Sequence, residues 1–346
     1  MRIIFLLFLF SILCISNGCS TDNTMTKPHH TKSGYKNLNP DFKDHGFTDL
    51  LKWVSGRFRN EHSIDPEDYP GAFPVLDNSG EELRKNQTKL SVTWVGHATA
   101  LIQIDGVNIL TDPIWSERCS PVSFAGPKRY TPPGIKMENL PKIHLVLISH
   151  NHYDHMDLSS LQELEKRFQP KFLVGLGNKE FLLNEGLKDV EEMDWWDETK
   201  ISGIQIAFTP TQHFSGRGLT DKFQTLWGSF VVSGKKEKVY FAGDTAYYTH
   251  FREIGAKFKD IDVAILPVGA FEPRWFMSSV HVDPAQSVQS FADLNAKYMI
   301  PIHYGTFVLS DEKLDSVIPE TKSAFRDLNI DLKRLIDLKI GESRFF

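Results

Sequence analysis

A layered α/β fold is predicted by two observations: apolar runs of strand length recur between residues 90 and 302, and helical patterns fall between several of them. No repeat of roughly 20 to 50 residues and no internal linker interrupts the series. The chain has 346 residues, which at roughly 150 per domain allows one large unit or two ordinary ones. Without a linker, the body reads as one domain. Apolar residues make up 41% and charged residues 24%, a globular composition. The formal charge of −5 argues against a partner that is a nucleic acid, since phosphate-tracking proteins carry a basic excess.

The N-terminus stands apart from this body. Arg2 is followed by an apolar stretch from Ile3 to Leu13, interrupted only by Ser11. That is too short for the roughly 20 residues of a spanning helix and has the layout of a secretory signal peptide. Gly18 precedes Cys19, a pattern similar to a bacterial lipoprotein signal, although Ser16 stands where such signals carry Leu. Residues 1–18 are therefore expected to be a signal peptide of lipoprotein type. The mature protein is expected to be exported to a bacterial cell envelope and lipid-anchored through Cys19. Residues 19–44 are polar, without an apolar period, and read as a tether. The catalytic body is then expected over 45–346. Cys119 would be its only thiol, so no internal disulfide is expected.

Within the body, Phe47, Leu50, Leu51, Trp53, Val54 and Phe58 recur at helical spacing, predicting a helix packed on the core. Strands follow at 90–95 and 99–104, and Asp105-Gly106 makes the tight turn into a third at 107–111. The apolar run 143–149 reads as a buried strand, with a helix at 158–168 behind it. Further buried strands are predicted at 172–176, 204–208, 230–233, 239–242, 263–267 and 298–302, and helices at 248–257, 284–294 and 320–328.

The histidines fall where these strands end. After 143–149 comes His150-Asn151-His152-Tyr153-Asp154-His155, with four ligand-type side chains in six residues. Imidazole and carboxylate suit zinc and similar divalent ions. Extended backbone puts His150 and His152 on one side. A turn at Tyr153 brings Asp154 and His155 to a second position, so one short segment can serve two metals. His213, Asp244 and His303 each follow a further strand. Strand ends along one edge are a usual place for an α/β active site. His97 sits in the early hairpin and reads as a brace rather than a ligand, as does Asp112. Arg129 and Arg274 read as structural.

His-x-His-x-Asp-His followed by isolated His, Asp and His resembles the metallo-β-lactamase superfamily. A narrower resemblance, to the N-acylphosphatidylethanolamine-hydrolysing phospholipases D, is carried by Gly126-Pro127-Lys128-Arg129, Glu272-Pro273-Arg274-Trp275-Phe276-Met277 and His303-Tyr304-Gly305-Thr306-Phe307, among other motifs over about residues 90 to 310. The resemblance implies an αβ/βα sandwich of two sheets flanked by helices, holding two zinc ions per chain. It implies that His150, His152 and His213 bind one zinc, that Asp154, His155 and His303 bind the other, and that Asp244 bridges them. Tyr153 and His281 match positions that contact the substrate head group. The implied substrate is a phospholipid supplied by a membrane surface, and a homodimer is reasonable.

Two metals sharing a water lower its pKa to about 7, so no side-chain nucleophile is needed. In that reading Asp154, Asp244 and His281 carry the catalysis. Cleavage of N-acylphosphatidylethanolamine would give N-acylethanolamine and phosphatidic acid. A lactonase or other carboxyl-ester hydrolase is the competing expectation, because the same site attacks carbonyls.

Overall fold

The computed structural model describes residues 27–58 and 64–346. The expected signal peptide, Cys19 and the first part of the expected tether lie outside the described residues. The rest of that segment is no free tether. It forms a small hairpin of β1 (His30–Thr31) and β2 (Gly34–Tyr35) lying on the body. His29 and His30 donate to the two carboxylate oxygens of Asp194 at 2.7 and 2.9 Å, and Tyr35 N–H donates to Phe223 at 2.8 Å. Local polar contacts, invisible to an apolar period, hold the segment down.

The first sheet contains β3 (Ser91–Gly96), β4 (Thr99–Ile104), β5 (Val107–Thr111), β6 (Leu145–Ile148), β7 (Lys171–Gly175) and β8 (Val190–Met193). The second contains β9 (Glu198–Ile201), β10 (Ile204–Thr209), β11 (Ser229–Ser233), β12 (Lys238–Phe241), β13 (Val263–Pro267) and β14 (Tyr298–Ile302). A last strand, β15 (Ser343–Phe345), closes the first sheet beside β3, giving the orders β15-β3-β4-β5-β6-β7-β8 and β14-β13-β12-β11-β10-β9. In each sheet antiparallel strands give way to three parallel pairings or two, β5 to β8 and β12 to β14. Parallel pairs need crossovers: α3, α4, α5 and α7, given below, lie in four of them, and the loop 112–144 makes the one between β5 and β6.

The helices are α1 (Phe47–Phe58), α2 (Glu81–Lys85), α3 (Leu158–Phe168), α4 (Lys179–Asn184), α5 (His250–Phe258), α6 (Arg274–Met277), α7 (Pro284–Leu294) and α8 (Val317–Asp327). One apolar cluster, including Trp94, Trp195, Trp227, Phe208 and Phe230, draws on both sheets. A second lies between the first sheet and α3, with Leu161 and Leu164 against Val146 and Phe172. This is the expected αβ/βα sandwich. Burying each such large side chain contributes about 1.5–3 kcal/mol, so the strand ends are carried by a stiff framework.

Three features differ from expectation. Strands β8, β9 and β15 were not foreseen, because edge strands rich in Glu, Lys and Arg lack an apolar run. Helix α8 begins three residues before its predicted start, since Pro319 sits in its first turn, where no N–H is needed. Helix α1 is not packed on the core by its leucines: Leu50 and Leu51 remain 40% and 50% exposed. Trp53 instead fixes it, donating to Asp311 at 2.7 Å and stacking on Phe276 at 5.3 Å between centroids.

Candidate metal centre

The C-terminal ends of the parallel strands meet along one edge. His150, His152, Asp154 and His155 leave β6, Asp244 leaves β12, His303 leaves β14, and His213 follows β10 after a bend. All seven ligand candidates converge, six of them with side-chain exposure of 15% or less and His152 half-buried.

Two groups form. His150 Nε2 and His213 Nε2 lie 2.9 and 3.3 Å from His152 Nδ1. Asp154 Oδ2 lies 3.2 Å from His155 Nε2 and 3.4 Å from His303 Nε2, with 3.3 Å between those two nitrogens. Donors about 2.0–2.1 Å from a tetrahedral ion stand roughly 3.3 Å from each other. Asp244 lies between the groups: its Oδ2 is 3.2 Å from His155 Nε2 and 3.8 Å from His213 Nε2, and its Oδ1 is 3.1 Å from His303 Nε2. Despite that proximity, Asp244 Oδ1 is buried and makes no hydrogen bond. A cation between the donors accounts for it, so the residues fit the metal pair that the resemblance implies.

Outer contacts choose the nitrogen each imidazole presents. His155 Nδ1–H donates to Asp112 Oδ2 at 2.7 Å, leaving Nε2 for a metal. Asp112 is itself held by the Ser149 amide at 2.7 Å and hydroxyl at 2.6 Å. The same hydroxyl oxygen accepts from His150 Nδ1 at 2.9 Å, and the Val280 carbonyl accepts from His213 Nδ1 at 2.9 Å. His97 donates to Asp154 Oδ2 at 2.9 Å and so braces a carboxylate, as its sequence position indicates. Gly243, with φ of +59°, permits this packing: a Cβ there would stand 2.4 Å from Ser149 Cβ.

The electrostatics differ between the two groups. Burial, followed for His152 by repulsion from His213, pushes His152 down to about 3, and burial brings His213 to about 4. Both are therefore neutral imidazoles, the form that binds metal. Burial opposes charge on Asp244 and Asp154, yet His155 and its neighbours hold both carboxyls well below their usual range. Against burial, which lowers them, Asp244 and Asp154 raise His155 well above the ordinary imidazole range and His303 to about 9, so these two rings carry the positive charge that a divalent ion would supply in their place.

The cluster opens into a cavity of about 450 Å³. His152, Asp154, His213, Asp244, His281 and His303 line its base, and Leu50, Trp53, Phe214, Leu219, Phe276 and Met277 are among its walls. His281 Nδ1 stands 3.9 Å from Asp244 Oδ2 and has no hydrogen-bond partner, an available polar atom beside the cluster. The N-cap of α7, Asp283, lies two residues after His281 and forms a capping box with Gln286. Tyr153 is not among the residues lining this cavity. It donates to the Arg217 carbonyl at 2.8 Å, lies under the Arg217 guanidinium at 4.0 Å, and lines a neighbouring hollow of about 870 Å³.

Arg129 is structural, donating to the carbonyls of Ser116, Ile114 and Thr131. Arg274 donates to the carbonyls of Phe271 and His281, both at 3.2 Å, and to Gln286. Sequence reasoning did not reach Ser149, whose signal was only its place before His150, or Arg217. It also did not assign α1 to the cavity wall.

Such a site on such a sandwich defines a metal-dependent hydrolase. Residues 107–304 match the family described as the Beta-lactamase superfamily domain. The chain belongs to the metallo-β-lactamase superfamily. It is similar to N-acyl-phosphatidylethanolamine-hydrolyzing phospholipase D 1 of Caenorhabditis elegans, 36% identical over 86% of this chain and 87% of that one. The mitochondrial N-acyl-phosphatidylethanolamine-hydrolyzing phospholipase D of Saccharomyces cerevisiae is 34% identical over 67% of this chain and 51% of its own length. A metal-dependent hydrolase of Methanopyrus kandleri is 30% identical over 73% and 99%. Among solved structures, a metallo hydrolase of Ignicoccus hospitalis matches with a TM-score of 0.56 at 24% identity, covering 75% of this chain and 99% of that one, a likeness of fold.

Proposed function

We propose that this hydrolase is a phosphodiesterase of phospholipase D type, dependent on two zinc ions, that cleaves N-acylphosphatidylethanolamine to N-acylethanolamine and phosphatidic acid. The observation that carries the reading is a His and Asp cluster, five of whose seven residues line a cavity with Leu50, Trp53, Phe214, Leu219, Phe276 and Met277 among its walls. A charged phosphate needs the cluster, and acyl chains need the walls. The 36% identity to the nematode phospholipase over most of both chains supports the choice of bond.

His150, His152 and His213 would hold one ion, Asp154, His155 and His303 the other, and Asp244 both. When bound, such a pair activates water at neutral pH and stabilises charge on phosphate oxygens. Asp112, Ser149, His97 and the Val280 carbonyl keep the donors aimed. His281 faces the substrate side of Asp244, where its free nitrogen can hold a phosphate oxygen or give a proton to the departing alkoxide. Trp53, Phe214 and Phe276, which line the cavity, would contact the acyl chains. An N-terminal lipid on Cys19 would keep the enzyme beside the membrane that supplies its substrate.

The test offers purified, metal-quantified protein N-acylphosphatidylethanolamine in mixed micelles beside a panel of lactones. Release of N-acylethanolamine with phosphatidic acid is expected. Turnover of lactones alone would replace the reading with carboxyl-ester hydrolysis.

A further inference from the structure

We infer that Asn37, in the segment ahead of the catalytic body, is a positioning residue for His213. The inference rests on the reading of His150, His152 and His213 as one metal-holding group. His213 lies beyond the end of β10, where neither sheet supplies strand partners for its peptide groups. Asn37 takes that place. Its Nδ2 donates to the His213 carbonyl at 2.8 Å, and its Oδ1 accepts from the His213 N–H at 3.1 Å. One side-chain amide thus pairs with both main-chain groups of one ligand, as a neighbouring strand would.

The residue before the ligand is held by the same segment. Asn39 Nδ2 donates to Gln212 Oε1 at 2.8 Å, and Gln212 Nε2 donates to the Ser279 carbonyl at 2.9 Å. The Val280 carbonyl next to Ser279 accepts from His213 Nδ1, so the Asn37 and Asn39 amides, the ligand and the loop carrying His281 form one hydrogen-bonded unit. The segment can bear this load because it is fastened upstream, by His29 and His30 on Asp194 and by Tyr35 on Phe223. Partners that hold a metal ligand's orientation change affinity or activity by about 10–100-fold when removed. Asn37 holds the ligand's backbone rather than its ring, so the low end of that range applies.

Full-length Asn37→Ala and the near-isosteric Asn37→Asp test the assignment. Asp keeps an acceptor for the His213 N–H but sets a carboxylate oxygen against the His213 carbonyl, so it is expected to be at least as harmful as Ala. Metal dissociation constants are read by chelator competition, and the visible spectrum of the cobalt-loaded protein reports ligand geometry. One of two metal equivalents should bind about tenfold more weakly, with an altered cobalt spectrum and the other equivalent unchanged. Should neither variant accumulate, Asn37→Ser, whose hydroxyl still offers a polar group to the His213 main chain, carries the test. Parental metal affinities and a superimposable spectrum in the variants, even with lowered thermal stability, would leave Asn37 a merely structural fastener and overturn the inference. Failure of the underlying reading looks different: the unsubstituted protein would bind no metal, or His213→Ala would retain full affinity at both sites.

Discussion

His155 Nδ1 lies 2.7 Å from Asp112 Oδ2, and both side chains are fully buried. The contact assigns the ring its tautomer and turns Nε2 toward Asp154 and Asp244. Asp112→Asn keeps the volume but loses the anionic acceptor. Metal held by the group containing His155 should weaken about 10–100-fold. Equilibrium dialysis at limiting metal reads the loss as one missing equivalent, and retention of both at parental affinity would show that Asp112 does not govern the ring.

Asp244 reaches toward both groups, with Oδ1 3.1 Å from His303 Nε2 and Oδ2 3.8 Å from His213 Nε2. Asp244→Asn should therefore lower affinity at both sites, unlike any single histidine substitution. Titration calorimetry should register two weakened events. Full activity at normal metal content would sink the bridging role.

His281 stands at the cavity base, 3.9 Å from Asp244 Oδ2, outside both trios. Burial first, with His213 and His303 adding repulsion against the pull of Asp244, holds its pKa well below the ordinary imidazole range. His281→Ala should reduce kcat by about a hundredfold or more while metal per chain stays at the parental value. Lost metal would make His281 a ligand rather than a substrate contact.

His250 is buried at the start of α5, and burial pushes its pKa down to about 3. The native state keeps the ring neutral, whereas the unfolded chain takes up a proton below about 6.5. Its contribution is whole above that pH and is lost as pH falls toward 3, by about 1.4 kcal/mol per unit at most. Urea unfolding of His250→Gln between pH 7 and 5 should show a shallower loss than the parent. Parallel slopes would contradict this.

Most of the framework is legible because the parallel strands are buried on both faces and read as apolar runs, with ligands directly after them, as at His150 and Asp244. The antiparallel hairpin announces itself through Asp105-Gly106. The polar devices are not legible. Asn37 and Asn39 fall in a stretch without apolar period, and their partners lie 176 and 173 residues away. Tyr153 belongs to the metal motif by position, yet Arg217, 64 residues on, turns its hydroxyl elsewhere. Leu50 and Leu51 show the same limit: spacing predicts a helix but not what faces it.

The central claim is the bond that is cut. Hydrolysis of N-acylphosphatidylethanolamine in ¹⁸O-water, followed by mass analysis of both products, tests it directly. Attack at phosphorus predicts the label in phosphatidic acid and none in the N-acylethanolamine. Label in a released fatty acid, or no turnover of this lipid by fully metal-loaded protein, would contradict the account.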